Sequence, residues 1–168
     1  MKKIFLIGLP GSGKTTLAKE AAKTLQLTFI DLDAEIEKHE GKRIDQIFKD
    51  RGEANFREVE KNVLRDFCLS NQTFVMATGG GAPCFHNNIE LMKQSGTVIF
   101  LDVPSKEIAN RISKQSQNRP LLKNETEDSF KDRIEFLRSN RISYYKQAHF
   151  TLKGGNITSA VVIDTIKE

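Results

Sequence analysis

No apolar run in the 168 residues approaches the ~20 that a membrane-spanning helix requires, so no span and no membrane partner is expected. Only Ile4 to Ile7 separate two lysines from Gly8, too short a stretch for a secretory leader, and the chain is expected to be cytoplasmic. Cysteine is scarce. Cys68 and Cys84 share no CxxC or Cys/His spacing, which argues against a disulfide framework or a cysteine metal site and for two reduced thiols. The three histidines, His39, His86 and His149, are scattered, with no spacing that marks a catalytic set. There is no internal repeat and no low-complexity linker, and 168 residues suit a single domain over 1–168.

The basic excess is also local. Residues 106–123 hold Lys106, Arg111, Lys114, Arg119 and Lys123 against Glu107 alone, an imbalance equal to the whole net charge of +4. A surplus confined to one polar segment suits a small anionic ligand better than a nucleic-acid backbone, so no nucleic-acid partner is expected.

What is present reads as alternating strands and helices. Ile4 to Ile7 is a buried strand closed by Gly8, and Leu17, Ala18, Ala21, Ala22 and Leu25 then recur at helical spacing. Phe29 to Asp33 alternates like a strand leaving the core, while Phe74 to Ala77 and Val98 to Leu101 are further buried strands. Phe56, Val59, Val63 and Phe67 mark a helix from about Glu53 to Leu69. A last strand near Phe150 to Leu152 precedes a closing helix, for which the Thr158 hydroxyl is the expected cap. Such alternation predicts a parallel α/β sheet with helices on both faces and ligands at the strand C-terminal ends. Ser113 to Asp128 is polar with few apolar anchors, and is expected to be a mobile segment.

The octet Gly8 to Thr15, GLPGSGKT, satisfies G-x-x-x-x-G-K-[ST] between a strand and the first turn of a helix. Glycines there let backbone N–H groups turn towards a polyphosphate, and the helix N-terminus adds partial positive charge. Gly11, Ser12, Gly13, Lys14, Thr15 and Thr16 are therefore the expected ATP-binding set. Lys14 would reach the β- and γ-phosphates, and Thr15 would supply an oxygen to Mg²⁺. A guanine-reading NKxD element is missing, as is the Asp-Glu pair of motor ATPases, since the third strand runs into ATGGGAP and the fourth into a solitary Asp102. These absences favour a kinase of a small acceptor over a switch or a motor.

The acceptor side is read from four groups. Asp31 and Asp33, two apart, would share a face in extended chain, one serving the metal and the other the acceptor hydroxyl, although acidic residues after strands are also common helix caps. Arg57 and Arg141 would form a bidentate carboxylate clamp if they converge; Arg57 has the blander option of pairing with Glu53 and Glu60 on its own helix. Three consecutive glycines, Gly79, Gly80 and Gly81, suggest a ligand close to the backbone. Arg119, inside the polar segment, fits a lid cation closing over the γ-phosphate.

In this order and spacing, GLPGSGKTT, DLD, FREVE, TGGG, RPLL and NRISYY make the chain resemble the shikimate kinases over essentially its whole length. The resemblance implies a three-layer, nucleoside-monophosphate-kinase-like P-loop fold with a five-stranded parallel sheet. It also implies a shikimate-binding region at about 32–61, a lid at about 113–125, and a monomer. It further implies transfer of the γ-phosphate of ATP to the 3-hydroxyl of shikimate. Lys14 would then bind phosphate and Thr15 ligate magnesium, with Asp31 supporting the metal through water. Asp33 would hold the shikimate hydroxyls as candidate base. Arg57 and Arg141 would clamp the carboxylate, Gly79 to Gly81 line the acceptor pocket, and Arg119 act from the lid. A basic residue near the adenine is also implied, for which Arg111 and Lys114 both stand at about the right place. Alternatives left by the same cradle are a gluconokinase-like or nucleoside-monophosphate kinase and, from another class, a nucleotide-binding regulatory module.

Overall fold

A computed structural model describes residues 2–116 and 127–167. Strands β1 (Lys3–Ile7), β2 (Thr28–Asp31), β3 (Phe74–Ala77), β4 (Thr97–Asp102) and β5 (Phe150–Lys153) form one sheet in the order β2-β3-β1-β4-β5. Every neighbouring pair is parallel. Among the described residues the connections are helical: α1 (Lys14–Leu25), α2 (Leu32–Glu40), α3 (Ile44–Leu69), α4 (Asn88–Ser95), α5 (Ser105–Ser116), α6 (Glu127–Tyr145) and α7 (Ser159–Lys167).

The central strands are apolar throughout because both of their faces are covered. Ile4 and Leu6 of β1, Val75 and Ala77 of β3, and Ile99 and Leu101 of β4 pack against Leu17, Ala18, Ala21 and Ala22 of α1 and Val162 and Ile163 of α7. The alternate residues Phe5, Ile7, Phe74, Met76, Val98 and Phe100 face the other way, onto side chains of α2 to α6. Period-two side-chain direction thus sorts one continuous apolar run into two cores. Each fully buried aliphatic side chain contributes about 1.5–3 kcal/mol.

Because β1 lies between β3 and β4, the strand order reverses around it, and the segments leaving β1, β2 and β3 meet at one sheet edge. The expected strands at 4–7, 74–77, 98–101 and 150–152 are all present, and the Thr158 hydroxyl accepts the Val161 N–H (3.4 Å) at the start of α7.

Two expectations need correction. The second strand stops at Asp31 instead of running to Asp33, because the Asp31 carboxylate accepts the Ala34 N–H (3.1 Å) and caps α2. Leu32 and Ile36, one turn apart, are then buried on the helix's inner face. The helix expected from Glu53 begins at Ile44, with a break at Gly52 (φ 80°, ψ 172°), so the expected start marks its second half. The polar segment keeps helix at both ends, α5 running to Ser116 and α6 starting at Glu127. The lid position Arg119 lies outside the described residues. Among the described residues no helix is long and apolar enough to cross a membrane.

Candidate active site

The turn after β1 is set by backbone conformations that side-chain-bearing residues rarely adopt, with Gly8 at φ 149°, Gly11 at 80° and Gly13 at 91°. Gly13 is the N-cap of α1, so the first helical N–H groups open towards the turn. Lys14 folds back inside it, its Nζ donating to the carbonyls of Gly8 (2.8 Å) and Leu9 (2.9 Å), with Ser12 Oγ at 3.5 Å. Burial lowers the Lys14 ammonium to about 8, the carboxylates of Asp33 and Asp31 opposing that shift while Arg141 adds to it. A cavity of about 400 Å³ lies over the turn, lined by Gly11, Gly13, Lys14, Thr15 and Thr16, with Arg111, Ile112 and Gln115 of α5 forming its far wall. Ser12 is buried beneath it.

Arg111 was named from sequence only as one of two alternatives, and here it joins three elements. It pairs with Glu107 (3.1 Å), donates to the Gly11 carbonyl (3.2 Å), and donates to the Gly155 carbonyl (2.7 Å) beyond β5. Lys114 does not line this cavity.

Thr15 donates its hydroxyl to Asp31 Oδ2 at 3.3 Å, while Asp31 Oδ1 caps α2. One hydroxyl and one carboxylate beside a phosphate cradle are a hard oxygen donor set. They fit a magnesium ion, which keeps most of its other positions for water and phosphate. No cluster of three or more His, Cys, Asp or Glu side chains suited to a metal occurs among the described residues, and magnesium needs none.

Asp33 reaches the site from the first turn of α2 and not from an extended strand. Its carboxyl is held above the usual carboxylate range by burial and then by the neighbouring Asp31, with Lys14 opposing. Beside it a second cavity of about 180 Å³ is lined by Asp33, Arg57, Glu60, Arg141, the three glycines, Pro10, and the apolar Ile44, Phe48 and Phe56. Arg57 and Arg141 therefore converge on one small space. Arg57 also makes the pairs its helix offers, to Glu60 (2.9 Å) and Glu53 (3.3 Å), while lining the cavity. Glu60 is almost wholly buried, and burial raises its carboxyl against the pull of Arg57. Its role at the cavity was missed because the sequence shows only an i,i+3 ion pair.

The triple glycine has a clearer cause than the sequence suggested. None of the three has a positive φ. A Cβ at Gly79 would lie 2.9 Å from Asp33 Oδ1, one at Gly80 2.8 Å from an Arg141 nitrogen, and one at Gly81 2.5 Å from an Arg57 nitrogen. The groups that approach this backbone are the charged side chains of the site itself. Tyr145, fully buried against Phe100, donates its hydroxyl to the Gly80 carbonyl and fixes the same loop from α6.

A phosphate-binding turn beside a magnesium-type donor pair, opening onto a small cavity with two guanidiniums and a carboxylate, defines a P-loop kinase of a small anionic acceptor. The comparisons name the family. A family model described as shikimate kinase matches residues 10–168. The shikimate kinase of Bacteroides fragilis is 41% identical over 165 residues, covering 98% of this chain and 92% of that one. The crystal structure of the Bacteroides thetaiotaomicron shikimate kinase superposes with a TM-score of 0.87 at 35% identity, covering 99% and 96% of the two chains. An Acinetobacter baumannii shikimate kinase in complex with shikimate gives 0.83 at 34% identity, covering 99% and 91%. The chain belongs to the shikimate kinase family and is an ATP-dependent kinase working with Mg²⁺.

Proposed function

We propose that this chain transfers the γ-phosphate of ATP to the 3-hydroxyl of shikimate, and that the residues assembled at the sheet edge carry the reaction. The convergence of Arg57 and Arg141 on a cavity adjoining the phosphate turn is the observation that carries this reading. A gluconate- or nucleotide-directed site would use the same turn, but two fork-shaped cations beside an apolar wall suit a ring acid.

The roles follow from position. Lys14 and the Gly11 to Thr16 backbone hold the polyphosphate, with Thr15 and Asp31 as the groups that would hold magnesium. Bound there, the cation neutralises charge on the phosphoryl oxygens. Arg57 and Arg141 bind the acceptor carboxylate, the glycine loop lets them approach, and Asp33 orients the acceptor hydroxyl and takes its proton. Its upward-shifted carboxyl brings the base nearer to neutral pH, where such transfers are effective. Arg119, carried by the family resemblance, is assigned to the lid. The protein's main contribution is alignment.

Asp33→Asn should lower kcat by roughly 10²–10⁴-fold while leaving ATP affinity within about twofold. Near-normal turnover would remove Asp33 from the base role. Coupled ADP release with shikimate, gluconate and CMP as rival acceptors tests the substrate. Turnover with gluconate or CMP above that with shikimate would reject it, and turnover with none would revive a regulatory nucleotide-binding module.

A further inference from the structure

Arg57 has one neighbour that neither its own helix nor the sequence motifs supply. Its guanidinium carbon lies 4.1 Å from the ring centroid of Phe85, nearer than the 5.1 Å to the adjacent Phe56. Phe56, Glu53 and Glu60 all belong to α3, as Arg57 does. Phe85 arrives from the loop after the triple glycine, and that loop is firmly built. Ala82 N–H donates to Gly79 O (3.1 Å), Cys84 N–H to Gly81 O (3.0 Å), and Asn88 N–H to Phe85 O (2.9 Å). The buried Asn88 side chain donates to the Ala82 carbonyl (3.0 Å). His86 and Asn87 both adopt left-handed conformations (φ 50° and 58°), which non-glycine residues keep only where their surroundings fix them.

The ring is placed where Arg57 has a competing choice. Glu60 accepts from Arg57 through Oε1, while its buried Oε2 has no partner among the described residues. Rotating the guanidinium into a two-pronged pair with Glu60 would satisfy that oxygen and commit two donors to Glu60 in place of an acceptor in the cavity. A ring stacked on the cation opposes the rotation, because the attraction requires the guanidinium to stay over the aromatic face.

We infer that Phe85 is a positioning residue for the acceptor clamp, its ring holding the Arg57 guanidinium so that donors face the cavity instead of closing on Glu60. The inference rests on the reading of Arg57 as a carboxylate ligand.

Phe85→Leu keeps an apolar side chain and removes the aromatic face. In the full chain it should raise KM for shikimate about three- to thirty-fold, the span set by cation–π attraction at exposed to desolvated sites. KM for ATP and kcat should stay within about twofold, and Phe85→Tyr should restore acceptor affinity. In an Arg57→Ala background Phe85→Leu should add nothing, since its effect runs through that side chain. Unchanged acceptor KM in Phe85→Leu, or an equal rise in both KM values, would overturn the inference. Arg57→Lys, measured in parallel, separates the two readings. If it leaves shikimate affinity intact the clamp itself fails, whereas if only Phe85→Leu is silent the clamp stands and the positioning role fails. Should Phe85→Leu not fold, pentafluorophenylalanine at position 85 gives the same decision, because it keeps the ring's shape and removes its negative face.

Discussion

At the scale of single residues the site is held in costly states. Lys14 is charged at neutral pH in a place that lowers its ammonium to about 8, burial being the main cause. An unfolded lysine stays protonated to about 10.4, so between these values the unfolded chain binds more protons than the native one. Stability from this group therefore rises with pH over that window, and below about 8 burying its charge costs on the order of 3 kcal/mol. Lys14→Met removes the dependence. Urea unfolding without nucleotide, from pH 7.5 to 10.5, should show the difference between the two proteins moving in favour of the wild type as pH rises; a flat difference would contradict the shift. Gly81→Ala acts on the other cation. The three atoms nearest its Cβ all belong to the Arg57 guanidinium, the far end of a flexible side chain, so the fold should survive while KM for shikimate rises roughly tenfold, about 1.4 kcal/mol. An unchanged KM would mean that Arg57 yields without consequence. The sequence revealed the phosphate turn because its chemistry is contiguous. It could not reveal why Gly79 to Gly81 are glycines, since Asp33, Arg141 and Arg57 press on them from three distant segments.

At the scale of elements, the break in α3 decides what lines the acceptor cavity. The helix before Gly52 brings Ile44 and Phe48, and the helix after it brings Phe56, Arg57 and Glu60. Gly52 sits in a region of φ and ψ that is essentially glycine's alone, at a cost of about 1–3 kcal/mol for other residues. Gly52→Ala should lower stability by that amount, roughly 2–12 °C in thermal midpoint, and raise KM for shikimate with KM for ATP unchanged. Equal changes in both constants would show that the two half-helices do not act as separate walls. The apolar stripe at Phe56, Val59, Val63 and Phe67 made the second half readable. The first half escaped because Ile44, Ile47 and Phe48 give too short a pattern amid charged residues. The first turn of α2 escaped for another reason: Phe29 to Asp33 alternates well enough to pass for extended chain, and only the capping bond from Ala34 to Asp31 ends it.

At the scale of the whole molecule, strand order explains why segments far apart in sequence act together. β1 and β3 are neighbours, so Pro10 of the phosphate turn lies where a Gly80 Cβ would touch it, 3.0 Å away. Alternating apolar strands made an α/β class legible, whereas the order β2-β3-β1-β4-β5 leaves no local trace in residue types. Since ATP with magnesium binds the folded chain, saturation at a hundred times its dissociation constant should add about 2.7 kcal/mol of stability. For a chain of this size that is roughly 5–10 °C in thermal midpoint. EDTA should remove most of the gain, and an identical midpoint with and without EDTA would exclude metal from the bound state. One carboxylate ties these ligands together. Asp31 divides its two oxygens between the Thr15 hydroxyl and the helix that carries Asp33. A cation held beside the first oxygen would share its carboxylate with the helix that carries Asp33, and whatever factor one substrate then exerts on the binding of the other is, by thermodynamic reciprocity, returned in equal measure.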